Sequence, residues 1–258
     1  MTPPLDRRPP LDPTRLPASV EVVEEAESTN SLIGIRAREG APAGLVIVAE
    51  HQTAGRGRLD RTWEVPPRAA LTFSMLVRPK VAPEVWPWLP LLTGYAVHAA
   101  LVDRVPGLGL KWPNDVLVDD RKLAGILVER VETSTGPAAV LGVGINISQE
   151  QAELPVPEAT SLFLEVEGDP DRTEVLDTVI GSIDALLPLL GDAESLRRAY
   201  SGECVTLGKT VRVDLPGGEV VEGTAIDIDE NGRLVVQTPA GAVPIGAGDV
   251  VHVRTPNL

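Results

Sequence analysis

At 258 residues the chain has room for one large domain plus a small one, and its hydrophobic fraction of 43% supports a sizeable core. It holds no run of roughly eighteen apolar residues to cross a membrane, and the single cysteine, Cys204, excludes an internal disulfide and suits a reducing cytoplasm. A formal net charge of −14, from 23 basic and 37 acidic residues, argues against a general nucleic-acid binder.

Residues 1–18 hold repeated prolines and little apolar content, which predicts a disordered tail. Arg7 and Arg8 are followed by no apolar segment, so the start does not read as a secretory signal. Nor is there room in it for the helices of a helix-turn-helix. Val20-Glu21-Val22-Val23 predicts a short strand, and Ser28-Thr29-Asn30 then opens a helix that Gly40 can end. The triplet has two readings: capping alone, or hydroxyls and an amide facing a polar ligand at a helix N-terminus.

Leu45 to Ala49 is an apolar run that reads as a buried strand. It ends in Glu50-His51-Gln52-Thr53-Ala54-Gly55-Arg56-Gly57-Arg58, with Arg61 and Trp63 shortly after. Glycines let the backbone turn and bring its N–H groups close to a ligand, and arginines add a fork of donors suited to carboxylate or phosphate. A solvated basic loop is the plain alternative, but the cluster runs against the acidic balance of the chain.

Leu71 to Val77 predicts a strand, and a helix is expected from about Trp86 to Arg104, with Pro87 and Pro90 in its first turn. His98 within it reads as structural. Leu108 to Lys111 predicts a strand leading into Trp112-Pro113-Asn114-Asp115. Val116 to Val118 and Lys122 to Glu129 then form a β-hairpin. Strict alternation puts Lys122, Ala124, Ile126 and Val128 on one face. A lysine among apolar residues either points at an anion near the strand end or snorkels into water. Val140 to Ile147 is a strand whose Gly142 and Gly144 share a face and leave it bare, so that something flat can lie against the backbone. No dinucleotide fingerprint or phosphate loop of the GKS/GKT type is present.

Thr173 is expected to cap an amphipathic helix, and a short helix runs on to about Tyr200. From Thr210 six short strands (211–213, 220–223, 224–226, 233–236, 242–245 and 250–253) separated by Gly-containing turns predict a small all-β barrel. Cys204 reads as a small core residue.

Taken in order, Ser28-Thr29-Asn30, Gln52-x-Ala54-Gly55-Arg56-Gly57-Arg58-x-x-Arg61-x-Trp63, Lys111-Trp112-Pro113-Asn114-Asp115 with Arg121-Lys122-Leu123-Ala124-Gly125-Ile126-Leu127, and Gly142-x-Gly144-Ile145-Asn146 closely resemble the bacterial biotin protein ligases. The resemblance covers about residues 20 to 255. It lacks the DNA-binding domain of the repressor members and so resembles the catalysis-only class. It implies an α+β fold: a mixed sheet flanked by helices, then a C-terminal SH3-like barrel. The expected layout is a tail over 1–18, a catalytic domain over 19–200 and a barrel over 201–258.

The resemblance further implies ATP, biotin and Mg²⁺ as reactants and a biotin carboxyl carrier protein domain of an acyl-CoA carboxylase as acceptor, without DNA or membrane. The expected setting is the cytoplasm, and the expected assembly a monomer or weak homodimer. Lys122, Arg58 and Asp115 would be catalytic. Ser28, Thr29, Asn30, Gln52, Gly55, Arg56, Gly57, Arg58, Lys122, Gly125 and Gly142 would hold biotin, with Gly144 beside them. Arg58, Arg61, Trp63, Asn114, Lys122 and Asn146 would contact ATP, and no metal ligand is assigned. The rival readings are a lipoate or octanoate ligase or transferase on the same fold, for which the ureido-binding set would lack a purpose, and a non-enzymatic biotin sensor.

Overall fold

The computed structural model describes residues 8–59 and 61–253. In chain order it contains β1 (Val20–Ala26), α1 (Thr29–Arg38), β2 (Val46–Gln52), β3 (Ala70–Val77), α2 (Leu89–Leu101), β4 (Leu108–Lys111), β5 (Asp115–Val118), β6 (Arg121–Thr133) and β7 (Gly136–Asn146). It continues with α3 (Leu162–Glu165), α4 (Arg172–Leu186), α5 (Ala193–Glu203), β8 (Thr210–Asp214), β9 (Val220–Ile228), β10 (Leu234–Thr238), β11 (Gly241–Ile245) and β12 (Asp249–His252). Strands β1 to β7 form a seven-stranded sheet of order β1-β2-β3-β7-β6-β5-β4. It is mixed because β1 and β2 run parallel while every other neighbouring pair is antiparallel. The last five strands form the expected barrel sheet, of order β11-β10-β9-β8-β12. The two segments read as 220–223 and 224–226 are one strand, β9.

Both faces of the large sheet are covered, which explains why β2 and β3 read as near-continuous apolar runs. On one face Val46, Val48, Phe73, Leu141 and Ile126 meet α2 and α4 in a core that continues into the barrel. On the other, Ile47, Leu76, Val131, Ala138 and Val140 pack under Ile33 and Ala37 of α1. Each of the buried Val, Leu, Ile and Phe side chains contributes about 1.5–3 kcal/mol.

Several boundaries differ from expectation for local reasons. Pro83–Trp88 is a 3₁₀ turn, and the α-helix starts only at Leu89, because Pro87 removes a donor from the segment before it. Helix α4 is capped by Asp171, whose carboxylate accepts from the Thr173 and Glu174 amides; the Thr173 hydroxyl instead accepts from the Asp12 amide. The division expected at 200/201 falls inside α5, which runs on to Glu203.

The expected disordered tail is corrected over residues 8–18. Leu11 is 4% exposed, its amide donates to Glu50 Oε1 at 2.7 Å, and Arg8 pairs with Glu153 at 2.5 Å. Glu50 in turn pairs with Arg172 at 2.7 Å, both nearly fully buried. Leu11, the Arg8 pair and the bonds of Asp12 to Thr173 and of Arg15 to Asp171 seat this Pro-rich segment against the domain, with one 3₁₀ turn at Pro13–Arg15. Residues 1–7 lie outside the described residues. No described helix is long and apolar enough to cross a membrane.

Candidate functional site

The α1 face of the sheet changes character along its strands. Paired residues form rows across β3, β7 and β6: Leu76–Val140–Glu129, then Ser74–Gly142–Leu127, then Thr72–Gly144–Gly125, the last row continuing through Asp115 of β5 to Lys111 of β4. The first row lies under α1. The next two consist largely of glycines and small hydroxyl residues, and they floor a cleft that opens beyond the N-terminus of α1.

The capping reading of Ser28-Thr29-Asn30 fails. Ser28 holds the N-cap position with no side-chain capping bond. Thr29 and Asn30 sit in the first turn and point at the sheet. The Thr29 amide and hydroxyl meet Gln52 Oε1 at 2.8 and 3.1 Å, and Ser74 Oγ lies 2.7 Å from Thr29 Oγ1 and 2.6 Å from Asn30 Oδ1. All three residues of the triplet, with Gln52, line the cleft.

The Arg-Gly loop closes over this floor as a narrow hairpin. The Gly57 amide donates to the Arg61 carbonyl at 2.7 Å and the Trp63 amide to the Gly55 carbonyl at 2.9 Å. Gly55 permits the turn, since a β-carbon there would collide with the Trp63 carbonyl. Gly55 therefore shapes the cleft without lining it. Gly142 and Gly144 are needed for close approach, as expected, but by side chains of the protein itself. A β-carbon on Gly142 would strike the Asn30 amide, and one on Gly144 would lie 2.6 Å from the Trp63 ring.

Arg58 reaches inward, donating to Asn114 Oδ1 at 2.8 Å and to the Gly248 carbonyl of the barrel at 3.3 Å. Burial lowers its pKa. Arg61 pairs with Asp249 of the barrel, and Arg56 pairs with Glu129 at 2.8 Å.

Lys122 enters the cleft by a route the alternating pattern does not predict. The β5–β6 register slips between Val116 and Leu117, leaving Leu123 as an extra residue: Val116 pairs with Ala124 but Leu117 with Lys122. Such a bulge transfers the residues beyond it to the opposite face. Ala124 and Ile126 go into the core, whereas Lys122 joins Gly125 and Leu127 over the cleft. This corrects the expectation that Lys122, Ala124, Ile126 and Val128 share a face. The Lys122 ammonium lies 2.7 Å from Asp115 Oδ1 and 5.9 Å from the centre of the Trp63 ring.

Lys111 approaches from β4. Burial lowers its pKa, although Asp115 and Asp249 pull the other way. Arg58, Arg61, Lys111 and Lys122 thus gather around two carboxylates and leave positive charge in excess. The arrangement can hold an anion larger than one carboxylate.

Of the expected site residues, Ser28, Thr29, Asn30, Gln52, Arg56, Gly57, Arg58, Arg61, Trp63, Asn114, Asp115, Lys122, Gly125, Gly142 and Gly144 all line the cleft. Asn146 does not. Its Nδ2 donates to the Thr160 carbonyl and its Oδ1 accepts from Gln149, both at 2.9 Å, so its amide fastens the segment after β7. Sequence reasoning missed Thr72, Ser74, Glu129 and Asp249. Two polar residues at alternate positions of an otherwise apolar strand were the available signal for Thr72 and Ser74. His98 is buried against Tyr95 and near Glu203, and Cys204 is buried with its thiol pKa raised.

Comparison with known proteins gives concordant matches. The Biotin/lipoate A/B protein ligase family model matches residues 23–146, and that of the Biotin protein ligase C terminal domain matches residues 206–253. The biotin–[acetyl-CoA-carboxylase] ligase of Mycobacterium tuberculosis is 41% identical, over 96% of this chain and 97% of that one. The bifunctional ligase/repressor BirA of Escherichia coli is 33% identical over 90% of this chain and 73% of that one. A biotin protein ligase from Aquifex aeolicus, solved in complex with biotin and ATP, superposes with a TM-score of 0.76 at 29% identity, over 92% of this chain and 99% of that one.

Proposed function

The chain belongs to the biotin protein ligase family, and from that premise we propose which of its residues carry the two half-reactions. The protein is an ATP-dependent ligase that makes biotinyl-5′-AMP and passes biotin to the biotin carrier of acetyl-CoA carboxylase. A carboxylate oxygen of biotin attacks the α-phosphorus of ATP and pyrophosphate leaves. A lysine amine of the carrier then attacks the acyl carbon, the C–O bond to AMP breaks, and the amine gives up a proton.

Both reactants of the first step are anions, so the chemistry depends on positive charge aimed where negative charge develops. Lys122 would hold the biotin carboxylate with those loop amides around Gly55 to Arg58 that the hairpin does not use, the Gly57 amide being bonded to the Arg61 carbonyl, and Arg58, Arg61 and Lys111 would face the polyphosphate. Mg²⁺ would arrive on ATP. Among the described residues no group of three or more metal-ligand side chains stands ready for it, and Mg²⁺ commonly relies on phosphate oxygens and water plus one or two carboxylates. Asp115 and Asp249 are the carboxylates at hand. Trp63 Nε1 is a buried donor without a hydrogen-bond partner, one that a nucleotide can take up.

The polar wall of Ser28, Thr29 and Gln52 over a glycine floor is the observation that carries biotin over a linear acyl chain. Thr29 and Gln52 already bond to each other and Thr29 to Ser74; a ureido group offers donors and acceptors to the polar capacity that remains on that wall, the Ser28 hydroxyl included, whereas the chain of lipoate or octanoate offers it none. The same proposal includes a cytoplasmic monomer or weak homodimer acting without DNA; the acidic charge and lone buried thiol support it. Pyrophosphate release from ATP, measured with biotin, lipoate and octanoate in turn, tests the assignment. Release driven by biotin alone supports it, and preference for an acyl acid overturns it.

A further inference from the structure

Glu129 belongs to none of the motifs and does not line the cleft, yet one of its oxygens joins the two parts of the site. Its Oε2 accepts from Asn30 Nδ2 at 2.7 Å and from Arg56 at 2.8 Å. The orientation of the Asn30 amide is fixed by its partners. Nδ2 faces Glu129 and, at 3.2 Å, the Leu127 carbonyl, which are acceptors only. Oδ1 faces Ser74 Oγ at 2.6 Å and must accept there. Both amide protons and the carbonyl are therefore engaged within the protein, and Asn30 has no donor left for a ligand. With its flank against Gly142, it works as a clip between α1 and the sheet.

We propose that Glu129 is a positioning residue for this ligase: through one carboxylate oxygen it fixes Asn30 beneath the ring site and draws Arg56 of the Arg-Gly loop to the same point. The geometry of ring recognition and the seating of the loop are thereby set by one contact. The inference rests on the biotin reading above. It replaces the expected role of Asn30 as a ureido ligand with that of a support. The two bonds are unequal. The Arg56–Glu129 pair is half-exposed and of the kind worth little, whereas Asn30 is 6% exposed and loses a charged acceptor if Glu129 is removed.

The test measures initial pyrophosphate release against biotin concentration, the rate at which preformed biotinyl adenylate leaves the enzyme, and melting temperature. The variants are Glu129→Ala, Glu129→Gln, Arg56→Ala and both doubles. Glu129→Ala should raise the KM for biotin about tenfold or more and speed adenylate loss, with a much smaller change in kcat. Glu129→Gln, which still accepts from Asn30 but carries no charge, should raise it by about two- to fivefold. Arg56→Ala should act to about that extent alone and add almost nothing in the Glu129→Ala background. A residue that merely stabilised the fold would lower melting temperature and active fraction without moving the biotin KM. Unchanged KM in both Glu129 variants, or an undiminished Arg56→Ala effect in either double, overturns the proposal. If Glu129→Ala does not fold, Glu129→Gln and its double decide alone. No pyrophosphate release by the unmutated enzyme with biotin would instead sink the substrate assignment.

Discussion

The Lys122 ammonium lies 2.7 Å from Asp115 Oδ1 because a one-residue bulge turns Lys122 onto the row that Asp115 shares with Gly125 and Gly144. Asp115 holds the lysine over the glycine floor. A lysine held by one carboxylate can transfer to another at little cost. Lys122→Ala should therefore leave the fold intact and reduce adenylation by about a hundredfold or more, on the order of 3 kcal/mol of transition-state stabilisation. Rates of biotin-dependent pyrophosphate exchange check this, and near-normal exchange would remove Lys122 from the mechanism.

Arg58 connects the loop to Asn114 and to the barrel carbonyl of Gly248. Arg58→Gly cuts both ties but leaves Lys122 in place. Adenylate should still form, while the loop retains it poorly and water and foreign amines reach the mixed anhydride. Incubating the variant with ATP, biotin and an unrelated lysine-rich protein should label that bystander. An unlabelled bystander beside demonstrable adenylate formation would show that Arg58 does not serve retention.

The N-terminal segment is expected to matter for stability. Deleting residues 1–17 removes the buried Leu11 side chain and the amide bonded to Glu50, and it exposes the buried Glu50–Arg172 pair. The loss should be about 3 kcal/mol or more, or roughly 6–12 °C in melting temperature for a chain of this size. A truncated protein that melts with the full chain would contradict the packing.

His252 supplies a pH dependence. Burial, with Lys209 and Lys111 nearby, lowers its pKa from 6.5 to about 4, against the opposing pull of Asp120. The unfolded chain binds this proton more readily than the folded one. The stability is thus fully present above about pH 6.5 and is lost as pH falls toward about 4. Because solvent reaches part of the cluster, the effect is about 1–2 kcal/mol rather than the full value of the shift. Melting temperature should fall more steeply between those pH values in the natural protein than in His252→Gln. Parallel profiles would exclude the residue as a source.

How much of this was legible in the sequence depends on the range of the interaction. The Arg-Gly loop, the glycine pair of β7, helix α4 and the barrel follow from local pattern, because turn chemistry and periodicity act within a few residues. The bulge at Leu123 does not, since Lys122-Leu123-Ala124 alternates no differently from a regular strand. Arg61–Asp249 and Arg56–Glu129 join residues far apart in the chain, and no local pattern announces either. The strap formed by Arg8 and Leu11 was hidden by its prolines, which mark the absence of regular structure but not the absence of packing.

The mass of a biotin carrier domain after incubation with this protein, ATP, Mg²⁺ and biotin tests the ligase activity and its acid specificity together. The carrier should gain one biotinyl group on a single lysine, with AMP and pyrophosphate formed in equal amounts and no gain when lipoate or octanoate replaces biotin. A carrier of unchanged mass, or one that takes an acyl chain in preference to biotin, would contradict the assignment.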